Sequence, residues 1–188
     1  SISNVALPSI GSALDATDTE LTGITDAYQL GIAATVLYLG AVGDRYGRKR
    51  MLLLGAFLCV PFSLMSAWSP TAVFLIGAQI AVGVSGGMLY PTTLSMITAL
   101  WRGKKLTAAI ALWTGIGTGA SVLGPILGGW LLGNYWWGSV FLITVPLAIV
   151  VLVLGFVVLP MSAAEQNEPV DHQGGTLSVI MITSLVLG

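Results

Sequence analysis

Between Lys105 and Glu165 the chain runs for 59 residues without a charged side chain. A soluble surface cannot be made from such a stretch, because soluble domains carry about 25% charged residues, whereas this whole chain is 8% charged and 55% hydrophobic. The stretch is also far too long for one bilayer crossing, which takes about 20 apolar residues. Its apolar residues do not alternate, so the crossings are expected to be helices rather than barrel strands, the two structures that satisfy their backbone in hydrocarbon.

Polar breaks divide the 188 residues into spans. Residues 1–14 read as the trailing part of a first, truncated span, followed by an acidic stretch with Asp15, Asp18 and Glu20. A second span is expected at 23–43, ended by "DRYGRKR", a third at 51–68 and a fourth at 71–98. The turn "GNYWWG" (133–138) splits the long uncharged stretch into spans at 106–132 and 139–160. A polar segment at 161–175 then precedes the start of a seventh helix at 176–188. The fold class is therefore all-α, a polytopic membrane protein whose residues 1–160 form an N-terminal bundle of six helices. The chain opens without Met or a basic leader and stops abruptly, so it is expected to be a fragment of a larger membrane protein.

All seven basic residues fall in two clusters, Arg45, Arg48, Lys49 and Arg50, then Arg102, Lys104 and Lys105. Short loops rich in Lys and Arg stay cytoplasmic, so loops 44–50 and 101–105 are expected inside a cell membrane, with 15–22 and 133–138 outside and 161–175 inside. Two crossings separate the clusters, as one side requires. Tyr135, Trp136 and Trp137 suit the outer interface and Trp101 the inner one. A net charge of −1 offers nothing for nucleic acid to bind. One cysteine, Cys59, and one histidine, His172, exclude an intramolecular disulfide or a Cys/His metal cluster, and no cofactor is expected. Three residue pairs, Pro8/Pro91, Gly40/Gly124 and Pro61/Pro146, recur at spacings of 83, 84 and 85, as a 3+3 inverted repeat of a transporter would give.

The turn "GAVGDRYGRKRM" carries the most specific pattern. Gly40, Gly43 and Gly47 allow close helix approach and a tight reversal, and Asp44 can accept from the start of the third span, where the helix dipole favours an anion. An anchor would need only the basic residues. In order and spacing the segment resembles the signature of the major facilitator superfamily between its second and third helices. That resemblance implies that Gly40, Asp44, Arg45, Gly47, Arg48 and Lys49 form a cytoplasmic gate that breaks and reforms in alternating access. In the fifth span, Gly124 and Gly128 make a G-x-x-x-G pair expected to pack on another helix, and Pro125 is expected to kink it. With Gly129 these residues form a "GPxxGG" string similar to the antiporter motif of drug exporters in the superfamily, although Ala120 stands where the leading Gly would be. "NVALP", "YPTTLSMI" and "WGSVFLITVP" further resemble the fourteen-helix drug:proton antiporter group.

Three single residues stand out. Asp26 lies in an apolar span, where a carboxylate is costly; it is either a proton or cation site, or part of the wet outer turn of the second helix. Gln79 occupies the place of an Arg that the group uses in proton coupling, and can hydrogen-bond but not titrate. Met88, Met96 and Trp113 are candidates to line a drug path, though apolar packing accounts for them more simply. "GIGTGA" (115–120) fits a dinucleotide fingerprint by letter only, since no βαβ unit surrounds it.

The expected function is proton-driven export of lipophilic or cationic drugs by alternating access. The alternatives are a permease of the same fold for a physiological metabolite, or a non-transporting membrane receptor or assembly subunit. No titratable cluster lies within a span, so no enzyme is expected. The expected partners are a small-molecule substrate, protons and the lipid bilayer, with the protein acting as a monomer.

Overall fold

In the computed structural model, residues 2–159 and 172–187 are described. They form eight helices: α1 (Ile2–Leu14), α2 (Asp18–Tyr46), α3 (Arg48–Ala67), α4 (Ala72–Leu100), α5 (Lys104–Asn134), α6 (Ser139–Leu142), α7 (Thr144–Val158) and α8 (His172–Leu187). Among the described residues four segments are long and apolar enough to cross a membrane: α3, α4, α5, and α6 with α7 taken together. The 29-residue α2 is long enough but more polar, and α1 has only 13 residues. Most of the expected 161–175 segment lies outside the described residues, and α8 begins at His172, four residues before the expected 176.

Local chemistry explains where the helix ends depart from the expected spans. Helix α2 starts at Asp18 rather than 23 because Thr17 caps it: the Thr17 hydroxyl accepts from the Glu20 backbone, and the Glu20 carboxylate accepts from the Thr17 N–H at 2.8 Å. This reciprocal box satisfies two otherwise unpaired donors. Helix α3 starts at Arg48 because Gly47, at φ 111°, ends α2 and begins α3 with no spacer. Only glycine takes that conformation without strain. The sixth span is split after Leu142 by Pro146, which has no N–H for the Leu142 carbonyl four residues back and would clash with it. Helix α5, in contrast, is continuous through Pro125.

The centre of the bundle is the pair α2 and α4, which run parallel along most of their length. Gly31 faces Gly83, Thr35 faces Gly87, Gly40 faces Pro91, and Asp44 reaches Ser95. At the Gly31–Gly83 crossing the two backbones touch. A Cβ added at Gly31 would come within 3.0 Å of the Gly83 Cα, and one added at Gly83 would run into the Tyr28 carbonyl. Helix α3 packs on α4, α7 on α3, α1 on α5 and α2, and α8 on α2. Apolar packing is densest at the end away from the basic clusters, where Ile10, Ile24, Leu75, Val140 and Phe141 are buried together. There the Trp68 and Trp136 rings stand 5.9 Å apart. The outer faces expose Phe57, Phe156 and Val157.

Two outcomes follow from this packing. Gly83→Val is expected to lower stability by about 2–3 kcal/mol, as overpacking does, and Gly117→Ala, whose site has open space around it, to have almost no effect. Thermal unfolding of the two variants compares them directly. At the α2 start, hydrogen bonds from Thr17 hold the Glu20 carboxyl below its ordinary value of 4.5. A lowered folded pKa means the cap's charge-dependent contribution is fully present above 4.5 and is lost as pH falls through the lowered value. Hydrogen exchange of the first-turn amides should show this loss on acidification, and Glu20→Gln should abolish the pH dependence.

Candidate functional site

At the end of the bundle that carries the basic residues, one carboxylate joins three helices. Asp44 is in the last turn of α2. Its Oδ1 accepts from Arg48 Nε at 2.9 Å, at the start of α3, and from Ser95 Oγ at 2.9 Å, on α4. Arg48 Nη1 also donates to the Ser95 carbonyl at 3.2 Å. Gly47 makes the pairing geometrically available, because its reversal places Arg48 four residues beyond Asp44 with the α3 start folded back on the α2 end. Arg45, one residue along, points elsewhere, with its guanidinium 5.4 Å from the centre of the Tyr46 ring.

The same turn reaches a fourth helix. Lys49 Nζ donates to the carbonyls of Phe156, at 3.1 Å, and Leu159, at the C-terminal end of α7, where a cation meets the negative end of the helix dipole. Gly40, one turn before Asp44, packs against Pro91, and Gly43, next to Asp44, against Met51 and Thr92. Five of the six motif residues therefore bear on one cluster, Arg45 points away from it, and Ser95 is a member that sequence reading did not single out. Its signal was the parallel register: Asp44 and Ser95 are 51 apart, as are Gly40 and Pro91.

Beyond the basic end lie three cavities of about 1010, 660 and 300 Å³ that share lining residues, the two larger being clefts edged by exposed side chains such as Leu147 and Tyr90. Tyr28 lines all three, placing it where α1, α2, α4 and α5 converge. Trp113 lines the second, with its ring 5.1 Å from that of Tyr90. Gln79 lines the smallest and is only 3% exposed. The residues lining these three cavities include no charged side chain. Aromatic faces can hold flat or cationic compounds there. Met88 is buried within the bundle.

Two other candidates take different places. Asp26 is exposed, two turns into α2, with Thr25 donating to it at 3.4 Å, and it lines none of the three cavities. On α5, Gly128 is buried and Gly124 partly so, but Pro125 is exposed and Gly129 faces open space, as do Gly115, Gly117 and Gly119. The side of α5 that carries Gly124 and Gly128 is therefore covered, α1 being the main neighbour of this helix, while the side with Pro125 and Gly129 is open among the described residues. The G-x-x-x-G pair that does bring two backbones together is Gly83 and Gly87 of α4, which sequence reading passed over.

The family profile described as Major Facilitator Superfamily matches residues 1–187. The chain is 38% identical over 97% of its length to the methyl viologen resistance protein SmvA of Salmonella typhimurium. It is 38% identical over 96% to the multidrug efflux pump LfrA of Mycolicibacterium smegmatis, and 34% over its full length to the probable multidrug resistance protein EmrY of Escherichia coli. The matches cover 37%, 36% and 35% of those proteins, so the chain spans little more than a third of their length.

Asp44 and Ser95 should be energetically coupled. Hydrogen bonds to charged groups contribute about 1.5–3 kcal/mol, and partial exposure of this carboxylate reduces that. A double-mutant cycle with Asp44→Ala and Ser95→Ala, read by thermal unfolding, should give a coupling of about 1 kcal/mol. Additive effects would mean that the bond contributes nothing.

Proposed function

Because the chain belongs to the major facilitator superfamily, we propose that residues 1–160 are the N-terminal bundle of a drug exporter. In this reading 161–175 is a cytoplasmic loop and 176–188 the start of a seventh helix. The exporter moves lipophilic or cationic compounds outward in exchange for protons, rocking between inward-open and outward-open states around a midplane cavity. It is a monomer in the inner membrane, with loops 44–50 and 101–105 on the cytoplasmic side. The observation that carries the reading is the uncharged cavity bounded by Tyr28, Tyr90 and Trp113, in a chain whose relatives are named for methyl viologen resistance and multidrug efflux.

The Asp44 cluster supplies the gate. Its bonds to Arg48 and Ser95 hold α2, α3 and α4 together while the cytoplasmic end is closed, and they break as that end opens. The α2–α4 glycine crossing is too tight to slide, so movement concentrates at the ends. The Pro125 and Gly129 side of α5, open among the described residues, is available to a further helix. Asp26, the one acidic side chain in the 23–43 span, is the candidate proton carrier. One proton entering down about 100 mV and one pH unit supplies roughly 3.7 kcal/mol, enough for an approximately 500-fold gradient of a neutral compound. For a monocation exchanged one for one, the voltage contributions cancel and only the pH part remains.

Gln79 favours a second reading, a permease for a physiological metabolite, because it puts a neutral amide where the antiporter group has Arg. Ethidium efflux from cells lacking their own exporters, measured with the full-length gene, separates the two. Export predicts efflux abolished by a proton uncoupler and reduced at least tenfold by Asp44→Asn and by Asp26→Asn. Efflux that survives the uncoupler removes protons from the mechanism. Well-expressed wild type without efflux leaves the metabolite permease.

A further inference from the structure

We infer that the pocket around Gln79 is a neutral hydrogen-bonding subsite, which takes the amide or imide edge of an uncharged planar compound. The pocket holds about 300 Å³ and is lined by Ser63, Ser66, Gln79, Val140 and Thr144 among others. Ser63 and Ser66 are buried, and Gln79 is 97% covered. Among the described residues, nothing hydrogen-bonds the Gln79 carboxamide, yet it is not sealed from the pocket. A buried carboxamide left this way is costly unless something in the pocket meets it.

The donor and acceptor pattern narrows what that something is. Ser66 donates its proton to the Phe62 carbonyl at 3.0 Å, so its oxygen offers only lone pairs to the pocket. Ser63 Oγ lies 3.9 Å from Cys59 Sγ. Gln79 offers both an N–H and a C=O. An anion finds no counter-charge in this lining. A quaternary cation has no hydrogen-bonding group and would leave both ends of Gln79 unpaired. An amide or imide edge, with its carbonyl and N–H side by side, satisfies both at once.

The pocket has room for several waters, and these fill it until a ligand group that reproduces their bonds displaces them. Tyr28, Gly86 and Leu89 line both this pocket and the one beside Tyr90 and Trp113, so the two pockets share a wall. Gln79 sits one turn before Gly83, where α4 is pressed against the α2 backbone, and the subsite is thereby held rigid before any ligand arrives. The inference rests on the export reading for the movement of such a compound, but not for its binding.

The test uses the purified full-length transporter with two fluorescent probes, 1,8-naphthalimide and its N-methyl derivative, which differ only in the imide N–H. Wild type should bind naphthalimide about tenfold more tightly than the N-methyl compound, the order expected for one or two neutral hydrogen bonds. Gln79→Leu should bind both with the same weak affinity. Equal binding of the two compounds by wild type, or no binding of either, overturns the subsite, and neither result depends on the variant folding. A preference that persists in Gln79→Leu overturns the role of Gln79. Ethidium efflux by wild type, measured in parallel, reports on the export reading separately. Naphthalimide preference without any efflux would keep the subsite and remove the exporter.

Discussion

Where α2 and α4 cross, Gly31 and Gly83 bring two backbones into direct contact, and the rest of the bundle is arranged around that line. In a membrane the lipid tails are as apolar as the side chains, so burial of apolar surface gives helices little reason to associate, and close van der Waals fit must do it instead. Small residues at Gly31, Gly83 and Gly87 supply the fit. Once these two helices are locked in parallel, their shared register brings Asp44 beside Ser95 at one end and places Gln79 beneath the crossing at the other.

The distribution of polarity along this axis divides the labour. At the basic end, the charges sit where water can reach them, and the Asp44 carboxylate and Lys49 ammonium each tie the turn between α2 and α3 to another helix. Within the bundle the cavity linings carry hydroxyls, the carboxamides of Gln29 and Gln79 and aromatic rings, but no formal charge. A bilayer interior imposes this, because each buried charge without a partner is expensive while hydroxyls and amides can share protons locally. Charge-assisted bonds are thus confined to the basic end, and neutral hydrogen-bonding groups to the cavities.

Membership of the superfamily fits both halves of this arrangement, and it joins a chain of this length to relatives nearly three times longer.

The sequence by itself determined that the chain is helical and crosses a membrane, since 59 uncharged residues admit no other solution, and it marked the turn at Gly47 because that order of Gly, Asp and Arg has little use elsewhere. It also put both basic clusters at one end, by the count of crossings between them. Only the tertiary structure decided which small residues pack. The G-x-x-x-G on α5 and the one on α4 look alike as strings, but the contact of two backbones falls on α4, where Gly83 and Gly87 lie on the face turned to α2. Likewise Asp44 pairs with Arg48, not with the adjacent Arg45, because the Gly47 reversal folds the start of α3 back on the end of α2, while neighbours on one helix point to different sides. Asp26 and Gln79 looked similar in sequence, each a polar residue in an apolar run. Burial separates them, and burial depends on helix neighbours that no local pattern encodes.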